Sequence, residues 1–303
     1  MNNRIKFDAL AGMIIGDAFG KMYFGKSREQ LLKEDIKDFS SDWDKIIWSD
    51  KTSLALCVAE AIKDRFDKNR LLEFFDTCLK KNHWAVVGKE KFISKAIERN
   101  LKEAISRSGG FDIENKGTDQ AGEILLQVVP LSFYTANMPL SLRYTLVREL
   151  VSLTAPDLPS LLAAFYLEEY ITYFLKGDSL LSAYYTMQET FPLILRNMGF
   201  NNQDIDLLWR LLFREIWIYD MQEIGLYNDV ISVTESALWA VINSSSFVDA
   251  LVKAIKLGGD TVLLGALTGS LAGIVYSADN IPKNWLEKIY NRHMIEDLIE
   301  SVY

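Results

Sequence analysis

Histidine, cysteine and proline are all scarce in this chain, and each shortage excludes something. Only His83 and His293 occur among 303 residues. His83 stands in a lysine-rich stretch and His293 close to the C-terminus, so each reads as a surface histidine and a Ser-His-Asp triad has little support. The two cysteines, Cys57 and Cys78, lie in apolar helical contexts without metal-ligand spacing. They read as reduced core thiols, which argues against zinc and against a Cys-His nucleophile and suits a cytoplasmic protein. Six prolines leave long stretches free to be helical. Basic charge is short too: 33 Lys and Arg against 41 Asp and Glu give a net charge of -8 and a pI near 5.0. Such a surface repels phosphate backbones, so no nucleic-acid partner is expected, although a local basic pocket for one nucleotide is compatible with it. Met1-Asn2-Asn3-Arg4-Ile5-Lys6 leads into an amphipathic stretch broken by Asp17 and has no signal-peptide character. Long apolar runs are rare as well. Thr261 to Ala278 carries no charge and is about long enough to span a bilayer. It is isolated, interrupted by glycines and without flanking Lys/Arg clusters, so it reads as a buried central helix and no membrane partner is expected.

What is present has the balance of a globular protein, 49% hydrophobic and 24% charged, with apolar residues at helical spacing. A first helix over 5–23 carries Gly12, Gly16 and Gly20 on one face, and the late apolar segment repeats the device with Gly265, Gly269 and Gly273. Glycine inside a helix costs about 1 kcal/mol relative to alanine, so six of them require a packing reason, and close backbone approach supplies it. The two helices are therefore expected to be central and packed tightly, although some 250 residues separate them. Ser49 or Asp50 can cap a helix carrying Leu54, Leu56, Cys57, Ala59 and Ile62. Further helices are predicted over 70–82, 90–107, 122–137, 140–154, 158–176, 179–199, 203–214, 229–243, 247–257, 260–277 and 283–302. The clearest loop runs from Ser108-Gly109-Gly110 to Asp119. With no linker, low-complexity tract or fixed repeat, residues 1–303 read as one all-α domain.

Three stretches draw attention. Gly16-Asp17-Ala18-Phe19-Gly20 puts an acid inside a glycine-faced apolar helix. Trp48-Ser49-Asp50-Lys51-Thr52 is a hydroxyl-acid-hydroxyl cluster at a helix start, and Gly258-Gly259-Asp260-Thr261 is a flexible turn with an acid where the late apolar helix begins. Singly, Asp50 and Asp260 are explained as helix caps favoured by the dipole.

In combination, order and spacing, the three stretches resemble the ADP-ribosylglycohydrolase family, which includes the dinitrogenase-reductase-activating glycohydrolases and the ADP-ribosyl-acceptor hydrolases. The likeness spans nearly the whole chain and includes Glu235-Ser236-Ala237-Leu238-Trp239-Ala240 and the run from Ser246 to Asp260. It implies a compact multi-helix orthogonal bundle with two Mg²⁺ or Mn²⁺ ions in a cleft, held by hard oxygen ligands from the two Asp/Thr motifs, and release of ADP-ribose from a modified acceptor. Carried over residue by residue, the resemblance makes Asp50 and Asp260 the remnant catalytic and metal-ligating positions. Ser49, Thr52, Gly258, Gly259, Thr261 and Asp17 become ligand-binding positions. Against the pattern W-[ST]-D-D-T, however, Lys51 stands where a second ligand acid belongs. Val262 and Leu263 replace a ligand Asp and Thr, and Phe24 stands where the family usually has an acid. Before Pro130-Leu131 the family's Gly-rich stretch is replaced by Glu123-Ile124-Leu125-Leu126-Gln127, and its mid-chain Thr-His pair is Thr154-Ala155.

Two divalent ions need several carboxylates to offset lost hydration and mutual repulsion; at most one Mg²⁺ on the remnant site is compatible with these residues, and no cofactor is expected. Lys51 is expected to pair with Asp50 or Asp260 and stand in for a cation, with Phe24, Val262 and Leu263 filling the former metal site. The leading functional expectation is a degenerate hydrolase that binds ADP-ribose, a related nucleotide or a protein partner. The alternatives are a working metal-dependent hydrolase with a rearranged site using Asp17, Asp119, Glu123 or Asp50, and a structural or interaction protein using aromatics such as Tyr23, Trp43 and Trp48.

Overall fold

The computed structural model of the protein describes residues 3–36, 44–63, 65–80, 83–84, 91–113, 121–225 and 229–302. Among these it has sixteen α-helices and no named strand. They are α1 (Asn3–Lys21), α2 (Arg28–Lys33), α3 (Asp50–Ala61), α4 (Lys68–Leu79), α5 (Lys95–Arg107), α6 (Ile124–Thr135), α7 (Leu140–Thr154) and α8 (Leu158–Leu175). There follow α9 (Leu180–Asn197), α10 (Asn202–Asp206), α11 (Trp209–Phe213), α12 (Val230–Ile242), α13 (Phe247–Leu257), α14 (Thr261–Tyr276), α15 (Lys283–Glu287) and α16 (Arg292–Val302). Side-chain caps set many of the starts: Ser94, Asp157, Ser179, Asp229 and Ser246 each accept a hydrogen bond from the backbone N–H three residues on.

α1 and α14 form the central pair, as the glycine pattern predicts. They run antiparallel, with Gly12 against Gly269, Gly16 against Gly265, Gly20 against Thr261 and Gly273 against Asp8. A Cβ on Gly16 would fall inside the carbonyl group of Gly265, so the helices touch backbone to backbone. α12 and α13 pack on α14, α6 on α3, and α8 on α6, burying a core that runs from Ala9 to Ile299. No helix among the described residues is long and apolar enough to cross a membrane.

Most long helices follow the expected segments closely; α5 starts at Lys95 where helix was expected from 90, residues 81–82 and 90 of the expected segments lie outside the described residues, and the other differences are local. The stretch 203–214 is two short helices, α10 and α11, and 283–302 is broken between α15 and α16. There Asn291 takes a left-handed φ of 49°, and Ile289 makes an isolated parallel bridge with Ile46. The short α2 was not expected; a capping box between Ser27 and Gln30 starts it. Ser108 ends α5 in a left-handed conformation, as the loop expectation requires, while residues 114–119 of that loop lie outside the described residues.

Candidate functional site

The central pair brings the three sequence motifs to one end of the molecule. Asp17, fully buried on α1, reaches the start of α3: it accepts hydrogen bonds from the Ser49 N–H (2.8 Å), the Ser49 hydroxyl (2.7 Å) and the Thr52 hydroxyl (2.7 Å). Burial pushes its carboxyl up to about 6, against the hydrogen bonds of Ser49 and Thr52 and the nearby Lys21 ammonium. Ser49 is itself the cap of α3, its hydroxyl receiving the Lys51 N–H at 3.3 Å. Thr261 is occupied in a similar way, donating to the Gly20 carbonyl of α1 at 2.8 Å. Three of the expected ligand-binding hydroxyls, Ser49, Thr52 and Thr261, are thus used to lock α1 to α3 and α14.

Lys51 is the most informative residue here. A lysine in the first turn of a helix faces an unfavourable dipole, and burying an ammonium costs more still, so its position requires compensating charge. That charge comes from two other elements. The Lys51 Nζ lies 2.8 Å from Glu123 Oε1, just ahead of α6, and 2.9 Å from Asp260 Oδ2, the cap of α14. The side chains of Lys51 and Glu123 are 2% and 3% exposed, and that of Asp260 34%. Burial opposes the ammonium, yet Glu123 and Asp260 carry its pKa above the ordinary lysine value. For Glu123 burial again opposes the charge, and the Lys51 ammonium draws the carboxyl below its usual value. The same Glu123 oxygen accepts the Ser94 N–H at 2.7 Å, and the other Asp260 oxygen accepts the Leu263 N–H at 3.0 Å. The ammonium and its two carboxylates therefore tie together the beginnings of α3, α5, α6 and α14.

Asp50 does not pair with this ammonium. Its Oδ1 accepts the N–H groups of Phe92 (2.9 Å) and Ile93 (3.0 Å), and burial raises its carboxyl against those bonds. The expected pairing of Lys51 with Asp260 is present, and Glu123 is the partner that sequence reasoning did not give it. The sequence marks Glu123 as an acid-base candidate and as part of the stretch that replaces the family's Gly-rich segment; its signal is a lone acid at the mouth of the apolar run Ile124-Leu125-Leu126. Val262 and Leu263 are buried as expected, Leu263 lying against Gly122, where it leaves no room for a Cβ. Phe24 departs from the expectation: it is 52% exposed and meets the Phe92 ring edge-on at 5.3 Å, so it fills no interior space. Gly258 and Gly259 take φ of 77° and 71°, and Gly258 lies against the backbone of Arg28. Tyr23 and Trp48 are core residues; Trp43 and Asp119 lie outside the described residues. His83 pairs with Glu60 and His293 is exposed.

These residues do not fit two divalent ions. Glu123 and Asp260 already hold an ammonium, Asp50 is directed to backbone N–H groups, and the described residues contain no group of three or more His, Cys, Asp or Glu side chains able to hold a metal.

The chain is similar to several known proteins along its length. It is 27% identical to the ADP-ribosylarginine hydrolase Tri1 of Serratia proteamaculans over 97% of this chain and 78% of that protein. It is 25% identical to the protein of the same name from Pseudomonas putida over 97% and 76%. The ADP-ribosyl-[dinitrogen reductase] glycohydrolase of Rhodospirillum rubrum shares 33% over 60 residues, 20% of each chain. A solved ADP-ribosylglycohydrolase-related protein complex superposes with a TM-score of 0.74 at 22% identity, covering 99% of this chain and 97% of the other. The family model for ADP-ribosylglycohydrolase matches residues 3–303, and with this full-length match the chain belongs to the ADP-ribosylglycohydrolase family.

Proposed function

We propose that this chain is a catalytically degenerate member of its family, which acts by binding rather than by hydrolysis. The ligand is an ADP-ribose-like nucleotide or, failing that, a protein partner engaged at the same end of the molecule. The observation that carries the reading is the Lys51 ammonium held between Glu123 and Asp260, at a motif position where the family's pattern has a metal-binding acid. The burial of Val262 and Leu263, which follow Asp260 in the same motif, supports the same conclusion, because apolar side chains there add core contacts where ligand oxygens would need a cation. Titrating ADP-ribose into the purified protein by calorimetry, once in millimolar Mg²⁺ and once in EDTA, tests the reading. It predicts the same heats in both buffers. Binding that appears only with Mg²⁺ contradicts it, and no heat in either buffer moves the search to protein partners.

One observation favours a second reading, an active hydrolase with a rearranged site. Asp50 is a half-buried residue whose carboxyl burial raises, as a general acid requires. That reading predicts ADP-ribose release that disappears in Asp50→Ala protein.

A further inference from the structure

We propose that Lys51 is a tethered replacement for a divalent cation: it closes the site by itself, keeps Mg²⁺ and Mn²⁺ out, and conceals a cation position that its removal opens. The inference rests on the reading of the chain as a degenerate family member and says what became of the metal site.

The geometry carries the argument. An ion at the junction of several helices has two jobs, to neutralise converging carboxylates and to hold their helices in register. Lys51 does both. Its Nζ lies between Glu123 and Asp260 at 2.8 and 2.9 Å, which are hydrogen-bond lengths. A bound Mg²⁺ or Mn²⁺ would need oxygens at about 2.1 Å and several further ligands around it. The two carboxylates come from elements far apart in sequence, and each is also fixed by a backbone N–H, Glu123 by Ser94 and Asp260 by Leu263. Each is thus positioned by a backbone N–H as well as by the lysine, and the two converge on one point. A positive charge that is covalently attached does not exchange with solution or respond to a chelator, and an entering ion would have to displace it. With the ammonium gone, two fixed carboxylates facing one small space repel each other and attract a cation whose remaining positions are filled by water.

The test uses Mn²⁺ alone, with no nucleotide, read as the loss of the free-ion paramagnetic resonance signal. The native protein, Lys51→Met, Lys51→Gln and the double variant Lys51→Met/Asp260→Asn are titrated at neutral pH. The native protein is expected to leave the Mn²⁺ signal unchanged. Both single variants should bind one ion at least about tenfold more tightly than native and rise in melting temperature when Mn²⁺ is added, and Asp260→Asn should abolish both effects. Two glutamine- and methionine-bearing proteins that fold yet bind no Mn²⁺ would overturn the proposal. So would stoichiometric Mn²⁺ binding by the native protein, a measurement that needs no variant to fold. Failure here is distinct from failure of the functional reading: hydrolysis by a native protein that binds no Mn²⁺ would sink the reading and leave this inference standing.

Discussion

Replacing Lys51 with methionine keeps much of the side chain's volume while removing its charge, so the loss in stability isolates the ion cluster. Glu123 is left with its carboxyl buried and its counter-charge gone, a situation that typically costs about 3–5 kcal/mol. Asp260, one-third exposed, keeps contact with water and adds little. A loss of about 3 kcal/mol is therefore expected, a large part of a typical folding free energy of about 5–15 kcal/mol. Its pH dependence has a definite sign. The Glu123 pKa is lower in the folded state, so its contribution is present above the unfolded carboxylate value near 4.5 and is lost as the pH falls through the folded value. The Lys51 pKa is higher in the folded state, so its contribution is present below 10.5 and is lost as the pH rises through the folded value. Native and variant should thus differ most between these limits. In the variant, burial without a counter-charge favours protonated Glu123, so the difference shrinks as the pH falls toward about 4.5. Urea unfolding followed by tryptophan fluorescence at about pH 5 and about pH 8.5 reads the loss and its shrinkage toward the acid side. A loss under about 1 kcal/mol that is the same at both pH values would refute the reasoning.

Other consequences follow from the same structure. Gly16→Ala should cost on the order of 3 kcal/mol or more, because its Cβ meets the Gly265 backbone and not a flexible side chain; a melting temperature within a degree or two of native would contradict the backbone contact between α1 and α14. Burial lifts Asp17 to about 6 from 3.8, so its proton is bound more tightly in the folded state. Native stability should fall as the pH rises from about 4 to about 6, and comparison with Asp17→Asn by chemical denaturation should show that this slope is lost. A second buried carboxylate behaves alike: Glu168 of α8, fully buried, is raised to about 8 by burial and by neighbouring Glu169, while Arg143 pairs at 2.7 Å with Glu169. Native stability should therefore fall as the pH rises from about 4.5 to about 8, and Glu168→Gln should remove that slope.

Much of the architecture was legible because it rests on local signals. Helical periodicity and Ser or Asp caps marked the long helices. The matched glycine spacings in α1 and α14 could be paired across the chain because a row of small residues has one economical use, close backbone approach. Where tertiary contacts decide, the sequence was silent. Nothing in 203–214 announces the break between α10 and α11, and the break before α16 depends on Ile289 meeting Ile46, more than 200 residues away. The site was legible in the same uneven way. Asp260 as a helix cap and partner of Lys51 followed from the motif, and so did the burial of Val262 and Leu263. The place of Glu123 did not, since an acid at the start of an apolar helix has no way of naming its counter-ion. Phe24 differs from the expectation because a phenylalanine in place of an acid suggests interior filling, whereas its side chain is exposed and rests against Phe92. The hydroxyls of Ser49, Thr52 and Thr261 looked like ligand-binding groups and turn out to be directed at Asp17 and Gly20, a use visible only once three helices are in contact.

The most direct test of the account is a turnover assay on the native protein, offering an ADP-ribosylated arginine substrate in Mg²⁺ or Mn²⁺ and, side by side, in EDTA. With Lys51 held by Glu123 and Asp260, the account predicts no release of ADP-ribose above the uncatalysed background in any of the three buffers. Metal-dependent release that is abolished in Asp50→Ala and Asp260→Ala proteins would contradict it.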